Sequence, residues 1–431
     1  MPHVALVAMS GFRIREPEML ALGMSLPSLT RRGAAIAALP PLGLLTLAAL
    51  TPPHWDQSLH TPSACDDALV HHLVTLRPTL VAISALTASI LDAYSLADRL
   101  RAEGIRVVLG GLHVTALPDE AALHADAIVV GEGEPVWPAI LRDAEQGTLA
   151  PRYRADASFD LANAPTPRLD LLGHHRRPRY TLQTARGCPL ACEFCAASRV
   201  LGPFREKPAS LIAHELAQIA AIDGHATIEL ADDNTFAGRR DHVALLDTLA
   251  ASGLNWFTEC DWRIGERPEL LERLAAAGCV QMLIGIESTR PTYKGMGAKS
   301  APLSRMMDAV GRIQDVGVAV LGCFVVGADT DTVDSIAELA DWLSTAPLAD
   351  VQLTLLTPFP GSPAYDTLRT QGRLLTDRSW NDYTLFDTTF DPRNMTAGEL
   401  ERSFHNCIRL VHSAGPAHAR ERLRHSIWRK R

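Results

Sequence analysis

Short apolar runs alternate with amphipathic stretches in two series along this chain, one before about residue 150 and one after about residue 180. In the first series, residues 4–8 and 80–85 are continuous apolar runs bounded by turn residues, the pattern of strands buried on both faces. Residues 106–109, stopped by Gly110-Gly111, and residues 127–130, followed by Gly131-Glu-Gly-Glu134, continue the series. Residues 67–76, 91–103 and 118–124 have helical spacing, and another helix is expected from near Pro135. Repeated βα units of this length predict a Rossmann-like, doubly wound parallel sheet, with ligands beyond the carboxyl ends of its strands.

Residues 150–179 are rich in Pro, Arg, Asp and Ala without a clear period and read as a linker. The second series has candidate strands at 180–185, 227–231, 256–260, 281–286, 318–326 and 351–356. Candidate helices lie between them at 209–222, 241–251, 268–277, 303–316 and 332–344. Six βα steps fall short of the eight that close a full barrel, which predicts a partial, open (β/α)6 barrel. Beyond about residue 375 the chain turns polar and aromatic, then helical over 397–413. The expected units are 1–150, a linker 151–179, a barrel 180–375 and a C-terminal helical region 376–431.

Composition narrows the function classes. The net charge is −8 over 431 residues, which argues against electrostatic capture of nucleic acid. The basic residues Arg420, Arg422, Arg424, Arg429, Lys430 and Arg431 at the end read as a solvated helical tail. Residues 33–50 are nearly free of polar groups, but Pro40-Pro41 removes two backbone donors that a membrane-spanning helix would need. This stretch reads as a loop followed by a buried helix starting at the prolines. Residues 1–9 lack a basic leader or a cleavage site, so a cytoplasmic protein with no membrane span is expected.

Three of the eight cysteines crowd into Cys188-Pro-Leu-Ala-Cys192-Glu-Phe-Cys195, just after the first barrel strand. A secreted disulfide framework is not spaced this way; a metal site in a reducing compartment is. Closely spaced soft thiolates select iron–sulfur or zinc. Three thiolates leave one corner of a [4Fe–4S] cubane without a protein ligand, and a barrel places active sites at this end of its strands. Structural zinc would need a fourth ligand, for which His174 and His175 are candidates, although the spacing is not that of a zinc finger. Cys260, Cys279, Cys323 and Cys407 have apolar or helical surroundings and read as buried small hydrophobes, with Cys260 and Cys323 on barrel strands.

With these motifs in view, the chain resembles radical S-adenosylmethionine (SAM) proteins that carry an N-terminal cobalamin-binding-like domain. The resemblance rests on the cysteine motif with Phe194 before its last cysteine, on Ala231-Asp-Asp-Asn-Thr-Phe236, on Gly285-Ile-Glu-Ser288, on Gly322-Cys-Phe-Val-Val-Gly327 and on Thr357-Pro-Phe-Pro-Gly-Ser362. Pro40-Pro-Leu-Gly-Leu44, Gly110-Gly-Leu-His113 and Gly131-Glu-Gly-Glu134 fit it in the first unit. It implies a [4Fe–4S] cluster on Cys188, Cys192 and Cys195, with SAM on the open iron and the Phe194 backbone at the adenine. Asp232, Asp233 and Asn234 would receive the ammonium of SAM, Glu287 and Ser288 the ribose hydroxyls, and Arg263 the carboxylate. Gly322 and Gly327 would let backbone approach the adenine. Ser84, Thr87, Gly110, Gly111, Gly131 and Glu132 would line a corrinoid site. His113 is exposed in this reading and lies outside the Asp-x-His-x-x-Gly pattern of an axial ligand, so both a corrinoid-loaded and a corrinoid-free first unit stay open.

The expected function is reductive cleavage of SAM, with electrons from an external donor such as flavodoxin or ferredoxin, to functionalise an unactivated position of a small-molecule substrate. Cobalamin-dependent methyl transfer is the reaction expected when a corrinoid is bound. Radical rearrangement, cyclisation or transfer of another SAM fragment is the alternative without it. A non-catalytic corrinoid- or cluster-binding sensor is the rival of another class. Trp380, Asp382, Tyr383, Phe386 and Asp387 are candidates for the cleft, against the plainer reading that they pack a terminal helix.

Overall fold

The computed structural model describes all residues except 10–13, 174–176, 239–240, 291–292 and 295. Six parallel strands form the first sheet: β1 (His3–Ala8), β2 (Asp56–His60), β3 (Leu80–Ser84), β4 (Val107–Gly110), β5 (Ala127–Val130) and β6 (Arg152–Arg154). Their spatial order is β2-β1-β3-β4-β5-β6, a doubly wound arrangement. β1 and β3 are buried on both faces, Val4 to Val7 being fully covered, which explains their unbroken apolar pattern. Two strands escape the hydrophobic pattern. β2 is an edge strand of sequence DQSLH, and β6 is a three-residue edge inside the stretch expected to be linker.

The segment between β1 and the next helix of the sheet leaves the first unit altogether. It forms α1 (Pro17–Ser25) and α2 (Pro27–Ala37), followed by α3 (Leu42–Leu50). The expectation of a loop before Pro40 is therefore corrected: α2 is helical, because only Ala38 to Pro41 carry the break that the prolines impose. The stretch Arg32–Leu50 is long and apolar enough to cross a membrane by length and composition, yet the proline break splits it and α3 buries Leu44, Leu45 and Ala48. Met19 of α1 sits fully buried in the core of the second unit, and the Pro40 carbonyl accepts a 3.0 Å hydrogen bond from Thr181 Oγ1.

The second sheet holds β7 (Tyr180–Leu182), β8 (Thr227–Leu230), β9 (Asn255–Cys260), β10 (Cys279–Glu287), β11 (Ala319–Val326) and β12 (Asp350–Leu355). The order β12-β11-β10-β9-β8-β7 follows the sequence, every pairing is parallel, and β7 and β12 remain as edges. This is the open six-stranded barrel that the count of βα steps predicts. Alternation along the strands sorts the side chains: Trp256, Cys260, Met282, Ile284, Val320 and Phe324 pack outward against helices, while Phe257, Leu283, Leu321 and Cys323 form a separate inner cluster.

The C-terminal region is a helix Ala397–Val411 and a second helix Ala414–Trp428. The second corrects the expected solvated tail. Arg420 is 6% exposed and donates to the Val411 carbonyl, Arg424 donates to Ala349 O at 3.2 Å, and Ile427 is buried, so these residues hold the helix against the barrel. The aromatic stretch before it is also structural. Trp380 donates to Glu120 at 2.9 Å and stands edge-on to His113, Phe386 is buried, Asp382 caps its own turn through Ser379 N, and Asp387 accepts from the backbone of Arg15.

Candidate active site at the carboxyl end of the barrel

The loop that follows β7 is fixed by two acidic residues at the end of β8. Asp232, 4% exposed, accepts from Thr184 N (2.6 Å), Ala185 N (2.9 Å), Thr184 Oγ1 and Thr235 Oγ1 (2.9 Å). Asp233 accepts from Gly187 N at 3.0 Å. Gly187 adopts φ +80°, and a Cβ there would lie 2.8 Å from Gly202 O and 2.9 Å from Pro203 O, so no other residue fits. Cys188, Cys192 and Cys195 therefore leave a rigid turn.

All three thiols are free. Cys192 packs with Tyr293, Met296, Ala328, Leu190 and Phe194, and burial pushes its thiol up to about 11, against the pull of the nearby Lys299 charge. Burial also raises Cys188, which receives hydrogen bonds from the Leu190 backbone and the Asn234 side chain. Ser198 N donates to Cys195 Sγ at 3.5 Å. Each thiol lies within electrostatic reach of the others, yet among the described residues no three His, Cys, Asp or Glu converge on a point that would hold a single ion. A cubane asks for that separation, because each thiolate binds a different iron. Donor chemistry, a dry apolar collar and N–H groups aimed at sulfur fit an iron–sulfur cluster better than zinc. His174 and His175 lie outside the described residues.

The other expected SAM contacts divide by what already holds them. Asp232 is saturated by the loop it ties down, which leaves Asp233 and Asn234 of that trio facing the site. Asn234 donates to Asp261 Oδ2 at 3.0 Å, and its own Oδ1, although buried, has no partner among the described residues. Arg263 forks onto Asp261 at 2.7 and 2.9 Å, so its charge is balanced within the chain instead of standing free for a carboxylate. Burial would raise Asp261, but Arg263 and Asn234 outweigh it and hold the carboxyl below its ordinary range. The missing Cβ of Gly322 points outward, 2.9 Å from Leu348 Cδ1, so helix packing also calls for a glycine there. Gly327, at φ +106°, donates to Asp331 Oδ2 at 2.8 Å and faces Phe390 and Leu400.

Glu287 ends β10 with φ +68° and forms a buried ion pair with Lys299. A Cβ on Gly285 would collide with both partners, which explains the glycine two residues earlier. Burial opposes the Lys299 charge, and the Glu287 carboxylate more than restores it, holding the ammonium above its usual range. Lys299 escaped the sequence reading because its loop shows no period. Phe194 stands edge-on to Tyr293 with ring centroids 5.0 Å apart, and Ser288 Oγ accepts from Arg290 N at 3.1 Å.

The first sheet meets this loop with its carboxyl edge. Arg186, two residues before Cys188, donates to Glu132 (2.5 Å) and Glu134 (2.7 Å), and Arg205 joins Glu132 at 2.7 Å. Glu132 also accepts from Phe159 N, so it is engaged in joining the two units rather than free to line a corrinoid site. Ser84, Thr87, Gly110, Gly111 and Gly131 lie at or just past the ends of β3, β4 and β5 along that same edge. Gly111 and Gly131 have positive φ, and a Cβ on Gly111 would lie 3.2 Å from Ser84 Oγ. Leu86, beside Thr87, is 49% exposed, an apolar side chain open at the edge where a corrinoid would lie. His113 is corrected from exposed to 1% exposed, held by Thr87 Oγ1 at 3.2 Å and Glu120 at 3.3 Å.

Comparison with known proteins agrees with this geometry. The chain matches the family described as B12 binding domain over residues 34–141 and the Radical SAM superfamily over residues 182–343. It is a radical SAM enzyme with a B12-binding domain ahead of the radical SAM domain. The radical SAM domain implies a [4Fe–4S] cluster and SAM in the barrel, and the B12-binding domain supports cobalamin as a further cofactor. Among its relatives is the bacteriochlorophyllide d C-12(1)-methyltransferase of Chlorobaculum tepidum, 28% identical over 77% of this chain and 74% of that one. The cobalamin-dependent SAM radical enzyme OxsB, solved with aqua-cobalamin and SAM, shares the fold with a TM-score of 0.68 at 15% identity, over 94% of this chain and 66% of that one. The radical SAM methyltransferase TsrM of Kitasatospora setae does so with a TM-score of 0.64 at 15% identity, over 94% and 82%.

Proposed function

We propose that this chain is a cobalamin-dependent radical SAM methyltransferase that adds a methyl group to an unactivated carbon of a small molecule. The observation that carries the reading is the interlock of the two units. The Arg186–Glu132–Arg205 network, with Glu134, draws the carboxyl edge of the first sheet onto the cysteine loop. Leu112–Ala116 of the first unit packs on Ala197–Val200 just beyond the cysteines. A corrinoid on that edge and SAM at the cysteines would face one lumen. The relative named as a bacteriochlorophyllide methyltransferase supports the same reaction class.

The chain's own residues then have separable roles. Cys188, Cys192 and Cys195 would hold the cluster, whose open iron supplies one-electron cleavage of SAM when bound. Asp233, Asn234 and the Glu287–Lys299 pair would orient SAM through charge and hydrogen bonds. Tyr293, Met296 and Phe194 exclude water from the sulfur side. Ser84, Thr87, Gly110, Gly111 and Gly131 would receive the corrinoid where side chains are short. The first unit would run to the end of β6 at Arg154 and not stop at residue 150, the barrel would run 180–375, and 376–431 would serve as a helical brace. An external one-electron donor of the flavodoxin or ferredoxin kind and a reducing, cytoplasmic setting fit eight free thiols.

The test is anaerobic reconstitution with iron, sulfide and hydroxocobalamin, then SAM labelled in its methyl group together with dithionite. Label should move to the corrinoid fraction with release of S-adenosylhomocysteine. Retention of all label in SAM or methionine, while 5′-deoxyadenosine still forms, would replace methyl transfer by a cobalamin-independent radical reaction.

A further inference from the structure

Apolar side chains fill one end of the barrel lumen. At the amino end the guanidinium of Arg179 lies 5.1 Å from the ring centroid of Phe257, and Phe257, Leu283 and Leu321 close over one another. One inward step further along β9 comes Glu259, in register with Leu283, which is itself in register with Leu321. Two residues on, just past the end of β9, is Asp261, the partner of Asn234, which reaches Cys188. Glu259 thus stands one position beneath the level of the cysteine loop.

Glu259 presents an exposed side chain although its neighbours belong to the inside of the barrel: Glu229 of β8, Arg32 of α2, Asp233 and Glu287. Its exposure is therefore to an internal space. Among the described residues its carboxyl has no hydrogen-bond partner, whereas the neighbouring Glu229 is paired with Arg179 and Glu287 with Lys299. Two further acceptors face the same space without partners, Gln352 Oε1 and Oδ1 of Asn234, whose residue is 4% exposed. Burial, and after it the Glu229 charge, pushes Glu259 up to about 7, against the pull of the Arg32 charge. With Glu229 paired to Arg179 and Glu287 to Lys299, the acceptors of Glu259, Gln352 and Asn234 outnumber the unmet donor beside them, Arg32 Nε, and call for a further donor.

We propose that Glu259 is the substrate anchor of the barrel lumen, and that the substrate enters carrying a hydrogen-bond-donating head, an amine or hydroxyl, which Glu259 and Gln352 receive. This rests on the radical SAM reading of the cysteine loop. Phe257 beneath Glu259, with Leu283 and Leu321 at its own level, accepts hydrocarbon, and the position beneath the cysteines brings a C–H bond near these head groups within reach of the 5′-deoxyadenosyl carbon. Glu259 would then set which molecule is presented, while the residues above it set what is done to it.

The experiment uses two perdeuterated four-carbon probes, n-butylammonium and butyrate, with reconstituted full-length protein, SAM and dithionite under anaerobic conditions. One electron from dithionite breaks the sulfonium C–S bond and releases methionine. The resulting radical takes deuterium from the probe, leaving monodeuterated 5′-deoxyadenosine and a probe radical that a second dithionite electron and a water proton quench. The readout is the deuterated fraction of the 5′-deoxyadenosine formed. Wild type should show a fraction about tenfold higher with the ammonium probe than with butyrate, and Glu259→Gln should bring the two together. Equal fractions from both probes in wild type would overturn the proposal even if the variant fails to fold, as would an unchanged preference in a folded Glu259→Gln. Absence of any 5′-deoxyadenosine would overturn the radical reading and the anchor with it, an outcome separable from equal deuteration.

Discussion

Replacing Arg186 by Met tests whether the interlock between the two units is structural as well as positional. Arg186 is the ion-pair partner of Glu134 and one of two for Glu132, and all these side chains are at most 15% exposed. Removing one member of a buried pair costs about 3–5 kcal/mol, because the carboxylate left behind stays desolvated. Glu132 keeps Arg205 and Phe159 N, so the lower end applies, about 3 kcal/mol, borne mainly by Glu134. For units of this size that is a fall of roughly 6–12 °C in melting temperature. Calorimetry of the reconstituted protein at neutral pH measures it, and Arg186→Lys should fall between, since an ammonium cannot fork onto two carboxylates. The pH dependence has a fixed sign. Burial opposes the Glu132 charge, but its arginines and the Phe159 amide win, so its folded pKa lies below the usual carboxylate value. The contribution is present above that usual value and is lost as the pH falls through the depressed one, so wild type and variant should converge in acid. A melting temperature for Arg186→Met within about 1 °C of wild type at neutral pH would refute the reasoning.

Two further outcomes follow from buried charges elsewhere. Lys299→Met leaves Glu287 unpaired beside Cys192 and should cost about 3–5 kcal/mol in chemical denaturation, with much of the loss recovered in the Lys299→Met, Glu287→Leu double variant. Burial, then the Arg420 charge, lowers His412 from 6.5 to about 4, so between these values the unfolded chain binds the extra proton and stability is lost as the pH is lowered. Removing that residue as His412→Phe should flatten the slope by about 3 kcal/mol across the window; an unaltered slope contradicts it.

The second sheet was legible because four of its strands end at or just before a glycine or an acidic residue, Asp232, Asp261, Glu287 and Gly327, and the helices between them keep their apolar spacing. The cysteine loop was legible for a different reason: three thiols in eight positions have few uses. What stayed hidden depends on contacts between distant segments. β2 and β6 are edge strands whose polar sequences carry no alternation, and α2 is helical because the barrel core receives the segment, not because its sequence demands it. Asp232 and Arg263 have side chains that suit a ligand, and only the fold shows that Thr184, Ala185 and Asp261 reach them first. The reverse holds for Glu259 and Lys299. Nothing near them in sequence marks them, and the barrel alone brings them to the site.

Electron paramagnetic resonance of the anaerobically reconstituted, dithionite-reduced protein, recorded with and without SAM carrying ¹⁵N in its amino group, examines the open iron site most directly. About four irons per chain, a spectrum that shifts on adding SAM and a resolved coupling to the labelled nitrogen are the expected result, all lost in Cys192→Ala. One zinc per chain with no iron signal, or full iron content and an unchanged spectrum in Cys192→Ala, would contradict it.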